Sequence, residues 1–184
     1  MSPFLRGSDP HALVVSMTGV KLGERFAQIG CANGGRLAAI AAKVGLSGCA
    51  VAVVPDAASA GRATKGAADA GVLVEVETAP PTRLPVEDGG FDLVVIDDTG
   101  ALLSAMEAGD HAATVREVSR ILRAGGRAMI ISHGARTGMR AWLRPAPGPR
   151  ALDAAPALQT AGFRAVRTLA EREGFMFVEG IKPR

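Results

Sequence analysis

The strongest constraint in this sequence is a regular alternation of short apolar runs with longer helix-compatible stretches. Phe26-Ala27-Gln28-Ile29-Gly30 reads as a first strand, and the Ala-rich stretch from Gly35 to Val44 as the helix after it. Cys49 to Val54 reads as a second strand. Pro55 and Asp56 then open a helix to about Ala70, with Asp56 as its N-cap or first-turn acid. Val72–Val76 and Phe91–Ile96 give strands three and four. The fourth is nearly all apolar, the pattern of a parallel strand covered on both faces. A helix from His111 to Leu122 runs into the Gly125-Gly126 stop, and Arg127–Ser132 follow as a fifth strand. Such alternation specifies a parallel α/β sheet, and right-handed crossovers put helices on both of its faces. The end of the chain departs from this rhythm. After a helical stretch at 152–161, the runs Phe163–Leu169 and Phe175–Gly180 flank a short turn, Glu171-Arg172-Glu173-Gly174, which makes them antiparallel. The expected fold is α/β: a seven-stranded, mostly parallel sheet closed by a C-terminal antiparallel hairpin.

The 184 residues make one domain's worth of chain, and 48% apolar content is enough for a sizeable core. Aromatic residues are only 4%, which argues against a stacking platform for single-stranded nucleic acid. No apolar run reaches the roughly 18–20 residues of a membrane helix. The N-terminal residues lack the apolar core of a secretion signal, and two cysteines cannot build a disulfide framework. The expectation is a cytoplasmic protein with no membrane association. Charge is uneven: residues 1–132 sum to −2 and residues 133–184 to +5. Arg136, Arg140, Arg144 and Arg150 lie in a Pro/Arg-rich segment, 134–151, that also holds Trp142. It reads as an insertion between the fifth strand and the last helix, at the sheet end where function concentrates. The plainer alternative is a surface excursion with Trp142 packed onto the core. An acidic substrate or a nucleic-acid backbone is a candidate partner for the basic surplus. Residues 1–22 read as an N-terminal cap helix and linker within a single domain spanning 1–184.

Leu22-Gly23-Glu24-Arg25-Phe26-Ala27-Gln28-Ile29-Gly30-Cys31-Ala32-Asn33-Gly34-Gly35 resembles the first motif of class I S-adenosylmethionine-dependent methyltransferases: a turn, a strand, and a glycine-rich loop opening a helix. Leu84-Pro85-Val86-Glu87-Asp88-Gly89-Gly90-Phe91 resembles the family's Leu-Pro, acidic turn and fourth strand. The Arg116–Arg127 stretch resembles its approach to the fifth strand, and Ala161-Gly162-Phe163-Arg164 with the final hairpin resembles its usual end. The ordered set covers about residues 18–182 and is similar to the small methyltransferases that act on diverse substrates. The resemblance implies a Rossmann-like fold, S-adenosylmethionine as cofactor, and methyl transfer to an unidentified acceptor.

Carried onto this chain, the resemblance assigns Gln28, Gly30, Cys31, Ala32, Gly34, Asp56, Arg83 and Leu84 to the cofactor. A tight glycine turn lets backbone N–H groups approach a ligand closely. The chain departs from the pattern at three acids. Gln28 stands at the first motif's acid, Val54 at the ribose-binding acid with Asp56 two residues later, and Pro80-Pro81 at the adenine-binding acid. Ala32 replaces the middle glycine. Asp97 and Asp98, after the fourth strand, and His133, after the fifth, are the candidate catalytic residues, with His133 suited to accept a proton near neutral pH. The alternative for Asp97-Asp98-Thr99 is a helix N-cap, and for His133 a surface side chain. Cys31 reads as a small packing residue. His11, His111 and His133 have no metal-ligand spacing with the cysteines, so no metal is expected. Two other readings compete. One is a catalytically inactive methyltransferase-like fold that binds a protein or RNA. The other is a dinucleotide fingerprint at Gly30-x-Ala32-x-x-Gly35, which lacks its acid at the end of strand two. A second subunit, as in a homodimer, is one expected source of a substrate cover.

Overall fold

The computed structural model describes residues 10–134 and 154–184. The core of the Pro/Arg-rich segment and the first nine residues therefore lie outside the described residues. A short helix, α1 (Ala12–Thr18), leads into β1 (Arg25–Ile29), α2 (Gly34–Val44), β2 (Cys49–Val54), α3 (Ala57–Ala70) and β3 (Glu75–Thr78). After a long connection come β4 (Phe91–Asp97), a single 3-10 turn at Asp98–Gly100, α4 (Ala108–Ile121) and β5 (Leu122–His133). The chain ends with α5 (Ala154–Thr160), β6 (Arg164–Arg172) and β7 (Phe175–Ile181). The seven strands form one sheet in the order β3-β2-β1-β4-β5-β7-β6. All pairs are parallel except those of β7 with β5 and with β6. The expected Rossmann-like sheet with an antiparallel closing hairpin is what forms.

Alternation along the buried strands sends side chains to two cores. On one face Ile29, Val94, Ile96, Ala128 and Ile130 pack under α4 and α5. On the other Phe26, Leu93, Val95, Met129 and Phe177 pack under α1, α2 and α3. Asn33 caps α2 by accepting from Arg36 N at 3.0 Å, and Asp56 caps α3 by accepting from Ser59 N at 2.7 Å. Helices α2 and α3 touch backbone to backbone. A Cβ on Gly34 would lie 2.0 Å from the Arg62 carbonyl oxygen, and one on Gly66 2.2 Å from Gly34 carbonyl carbon.

Several boundaries differ from the sequence reading: α4 starts at Ala108 rather than His111, and Glu171 and Arg172 pair with Met176 and Phe175, so the last turn is Glu173-Gly174 alone. The third strand begins at Glu75, not Val72. Helix α3 ends in a left-handed Gly71 (φ 65°), and Val72 N donates back to Ala67 O, so Val72 closes the helix before any strand pairing starts. The fifth strand begins at Leu122, directly out of α4. Its ladder with β4 jumps from Phe91↔Leu122 to Leu93↔Arg127, so the Gly125-Gly126 pair forms a bulge between two paired stretches. That bulge is held by β7's end, with Gly125 N donating to Lys182 O and Lys182 N to Gly126 O. Among the described residues no helix is long and apolar enough to cross a membrane.

Candidate functional site at the carboxyl ends of β1 and β4

In an open parallel sheet, a crevice forms where strand order reverses direction. Here that point lies between β1 and β4, with β2 and β3 on one side and β5 on the other. The loops after β1 and β4 meet there. Gly30 has φ +79°, and its N–H donates to Val53 O at 2.8 Å, fixing the turn out of the sheet. A Cβ at this position would fall 2.8 Å from Leu102 Cδ2, so the turn is closely covered by the loop after β4. The Gln28 side chain is buried and donates from Nε2 to Gly30 O at 2.9 Å. In place of an acid it braces the turn from below.

The centre of the site is a buried ion pair. Arg36, in the first turn of α2, donates from Nη2 to both Asp97 oxygens at 2.8 and 3.0 Å, and the two side chains are 6% and 1% exposed. Asp97 also accepts from Ala32 N at 2.9 Å and from Thr99 N and Oγ1 at 3.2 and 2.6 Å. Thr99 Oγ1 in turn accepts from Arg36 Nη2. A carboxylate holding this many donors is a fixed anchor that ties the loop after β1 to the loop after β4. The Arg36 guanidinium also lies over the Phe175 ring, 5.4 Å from its centroid. Phe175 in turn stacks on His133 with centroids 5.9 Å apart and planes 16° from parallel. A continuous chain of contacts therefore runs from Asp97 through Arg36 and Phe175 to His133, joining the ends of β4, β5 and β7.

Asp98 faces the opposite side of the sheet. Its Oδ1 accepts from Leu103 N at 2.6 Å and Ser104 N at 3.1 Å, closing the loop after β4. Burial pushes its carboxyl above the usual range, against the pull of those two donors. Cys31 is buried in the glycine turn. Burial first, then the Asp97 charge, pushes its thiol up to about 11, so it stays protonated and packs. The Cys31 carbonyl accepts from Arg62 Nε at 2.9 Å. Gly34 sits at the α2–α3 crossing. Asp56 is exposed at the end of β2, and its bonds to Ser59 lower its pKa and keep it ionised. Val54, where the family carries an acid, is fully buried. Leu84 is buried among the α4-side core residues, its N–H donating to Glu117 Oε2 at 2.8 Å and its carbonyl accepting from Arg120 Nη2 at 2.9 Å. Arg83 follows a turn closed by its own N–H to Pro80 O at 3.0 Å.

Of the residues expected from sequence, Gln28, Gly30, Ala32 and Asp97 converge on the crevice. Asp56 stands at its β2 side and His133 at its β5 side. Asp98, Gly34 and Leu84 are turned toward packing and capping contacts. The sequence reading missed Arg36, Thr99 and Phe175. Arg36 left a legible signal: it shares a helical face with Ile40 and Val44, all three buried, and a charge on an apolar stripe requires a partner. Among the described residues no cluster of three or more His, Cys, Asp or Glu gathers as metal ligands would.

A glycine turn at the switch point of a sheet ordered 3-2-1-4-5-7-6 defines a methyltransferase-type Rossmann-like fold. The methyltransferase domain family matches residues 26–126, more than half of the chain. The chain belongs to that family. Among solved structures it is similar to a SAM-dependent methyltransferase from Aquifex aeolicus, with 18% identity, a TM-score of 0.73, and coverage of 94% of this chain and 89% of that one. It is also similar to the S-adenosylmethionine-dependent methyltransferase SibL in its apo form (19% identity, TM-score 0.72, 96% of this chain and 55% of that one). A third likeness is to the [4+2]-cyclase SpnF (17% identity, TM-score 0.69, 93% and 78%). At such identities the likeness is one of fold. No curated protein matches the sequence.

Proposed function

We propose that this protein transfers a methyl group from S-adenosylmethionine to an acceptor, which is either a small molecule or a macromolecule. The observation that carries the reading is the Gly30 turn, held in a positive-φ conformation at the β1–β4 switch point of a methyltransferase-family sheet. The residues present suit such a cofactor. Within the turn the Gly30 N–H is given to Val53 O and the Ala32 N–H to Asp97, which leaves the Cys31 backbone to take its amino-acid end, and the ionised, exposed Asp56 carboxylate after β2 is an acceptor for ribose hydroxyls. When bound, the cofactor supplies an electrophilic methyl group on its sulfonium. This chain's own part is to bind and orient. Gln28 braces the turn, and the Arg36–Asp97 pair fixes the two loops at a set separation, so that reactants meet without reorganising the site. His133 stands at the β5 end of the contact chain, where an imidazole can accept a proton from an acceptor nucleophile.

A second reading is a partner-binding module that has lost catalysis. It is supported by the Ala32 N–H, already given to Asp97, and by the buried Val54 at the ribose-acid position. Calorimetric titration with S-adenosylmethionine and S-adenosylhomocysteine separates the two. Micromolar binding that Gly30→Val abolishes in a still-folded protein supports methyl transfer. Absence of binding at millimolar ligand moves the assignment to the partner-binding module.

A further inference from the structure

Side chains from three different elements hold consecutive backbone groups of the glycine turn. Gln28 Nε2 donates to Gly30 O, and Asp97 Oδ2 accepts from Ala32 N at 2.9 Å. Between them Arg62 reaches over from α3, its Nε donating to Cys31 O at 2.9 Å. Cys31 O and Ala32 N–H are the two ends of one planar peptide unit, so a cation grips that unit on one side and a carboxylate on the other. Arg62 is itself fixed. Its Nη2 donates to Ser59 Oγ at 2.7 Å, and Ser59 is buried. Its backbone stands at the α2–α3 crossing, where a Cβ on Gly34 would lie 2.0 Å from the Arg62 carbonyl oxygen. The bare Gly34 thus lets α3 approach closely enough for the arginine to span from its own helix to the loop before α2. Arg62 is exposed, yet it spends Nε and Nη2 on neutral oxygens, bonds that water could equally supply.

We propose that Arg62 is a positioning residue for the cofactor's amino-acid end, acting through the Cys31–Ala32 peptide; this rests on the methyl-transfer reading of the same site. A carboxylate entering the turn is attracted by an N–H and repelled by a carbonyl oxygen. The Gly30 and Ala32 N–H groups are already engaged, which leaves the Cys31 N–H as the turn's donor. By drawing Cys31 O toward α3, Arg62 keeps that oxygen from opposing the carboxylate. The adenosine part of the cofactor does not depend on this clamp. Asp56, the acceptor for ribose hydroxyls, takes its 2.7 Å bond from Ser59 N whatever stands at position 62.

The test compares two ligands in calorimetric titrations of the full chain: S-adenosylhomocysteine, and 5′-methylthioadenosine, which lacks the amino-acid end. In Arg62→Met, affinity for S-adenosylhomocysteine should fall about tenfold, the worth of one charge-assisted hydrogen bond. Affinity for 5′-methylthioadenosine should change by less than about twofold. Arg62→Lys, which keeps one donor for Cys31 O, should recover most of the loss. In the ligand-free protein, exchange of the Ala32 amide followed by NMR should quicken at least about tenfold in Arg62→Met. Arg62 lies outside both cores, and any unfolded fraction lowers the two affinities together, so their ratio still reads the clamp. Equal losses for the two ligands, undiminished S-adenosylhomocysteine affinity, or an unchanged Ala32 exchange rate overturns this proposal alone. A wild-type chain that binds neither ligand overturns the methyl-transfer reading and this proposal with it.

Discussion

Arg36 and Asp97 form a charge pair with almost no access to water. Such pairs gain little over a well-packed apolar pair, yet removing one partner strands the other. Arg36→Met is therefore expected to cost about 3–5 kcal/mol, read from urea denaturation. Adding Asp97→Leu to the same chain should restore a large part of that loss, because no charge then remains buried. A second residue-scale expectation concerns acid. The hydrogen bond from Arg120 holds the Glu117 carboxyl below its ordinary value. Its folded pKa is lowered, so its contribution is fully present above the unfolded pKa of roughly 4.3 and is lost as pH falls through the folded value. Glu117→Gln should flatten the stability–pH curve below about pH 4.5 and leave its shape near neutrality unchanged, as thermal melts across pH would show.

At the scale of elements, the α2–α3 crossing and the exposed face of α3 make a matched pair. Gly34→Ala drives a methyl group into the Arg62 carbonyl and forces the helices apart, at an expected cost of about 1–3 kcal/mol. Gly61 lies mid-helix in α3 with open space around its Cα, so Gly61→Ala should stabilise by roughly 0.5–1 kcal/mol. Differential scanning calorimetry of the two variants would show melting temperatures moving in opposite directions. The elements themselves were mostly legible, because β1, β2 and β4 are short runs buried on both faces and α2 and α3 carry side-chain N-caps, Asn33 and Asp56. The starts of β3 and β5 were not. Val72 and Leu73 look like strand residues, but the first completes the cap of α3 and the second is 81% exposed. Gly125-Gly126 looks like a helix stop, but Lys182, just past the end of β7, returns to bond both glycines and makes them a bulge. Both errors come from partners that local pattern does not reveal.

For the whole molecule, fold class and family followed from the sequence, while strand order and the inner workings of the site did not or did so only in part. Gly30 and Asp97 were visible as motif positions. The Arg36–Phe175–His133 contacts join α2 to the far end of the sheet, a proximity that only the folded topology creates. Gly30→Val tests whether this assembly serves a ligand: cofactor binding should fall by at least tenfold, with far-UV circular dichroism unchanged. A parallel loss of secondary structure would instead make the turn a structural one.

The position of β7 also carries a consequence for biosynthesis. It lies between β5 and β6 and pairs with β5 over seven positions, Arg127↔Ile181 to His133↔Phe175. A ribosome adding about 5–20 residues per second needs roughly 2–10 s to travel from the end of β5 to the end of β7. Throughout that interval one full edge of a central, apolar strand has no partner, and it is during translation that this chain is most exposed to association with its neighbours.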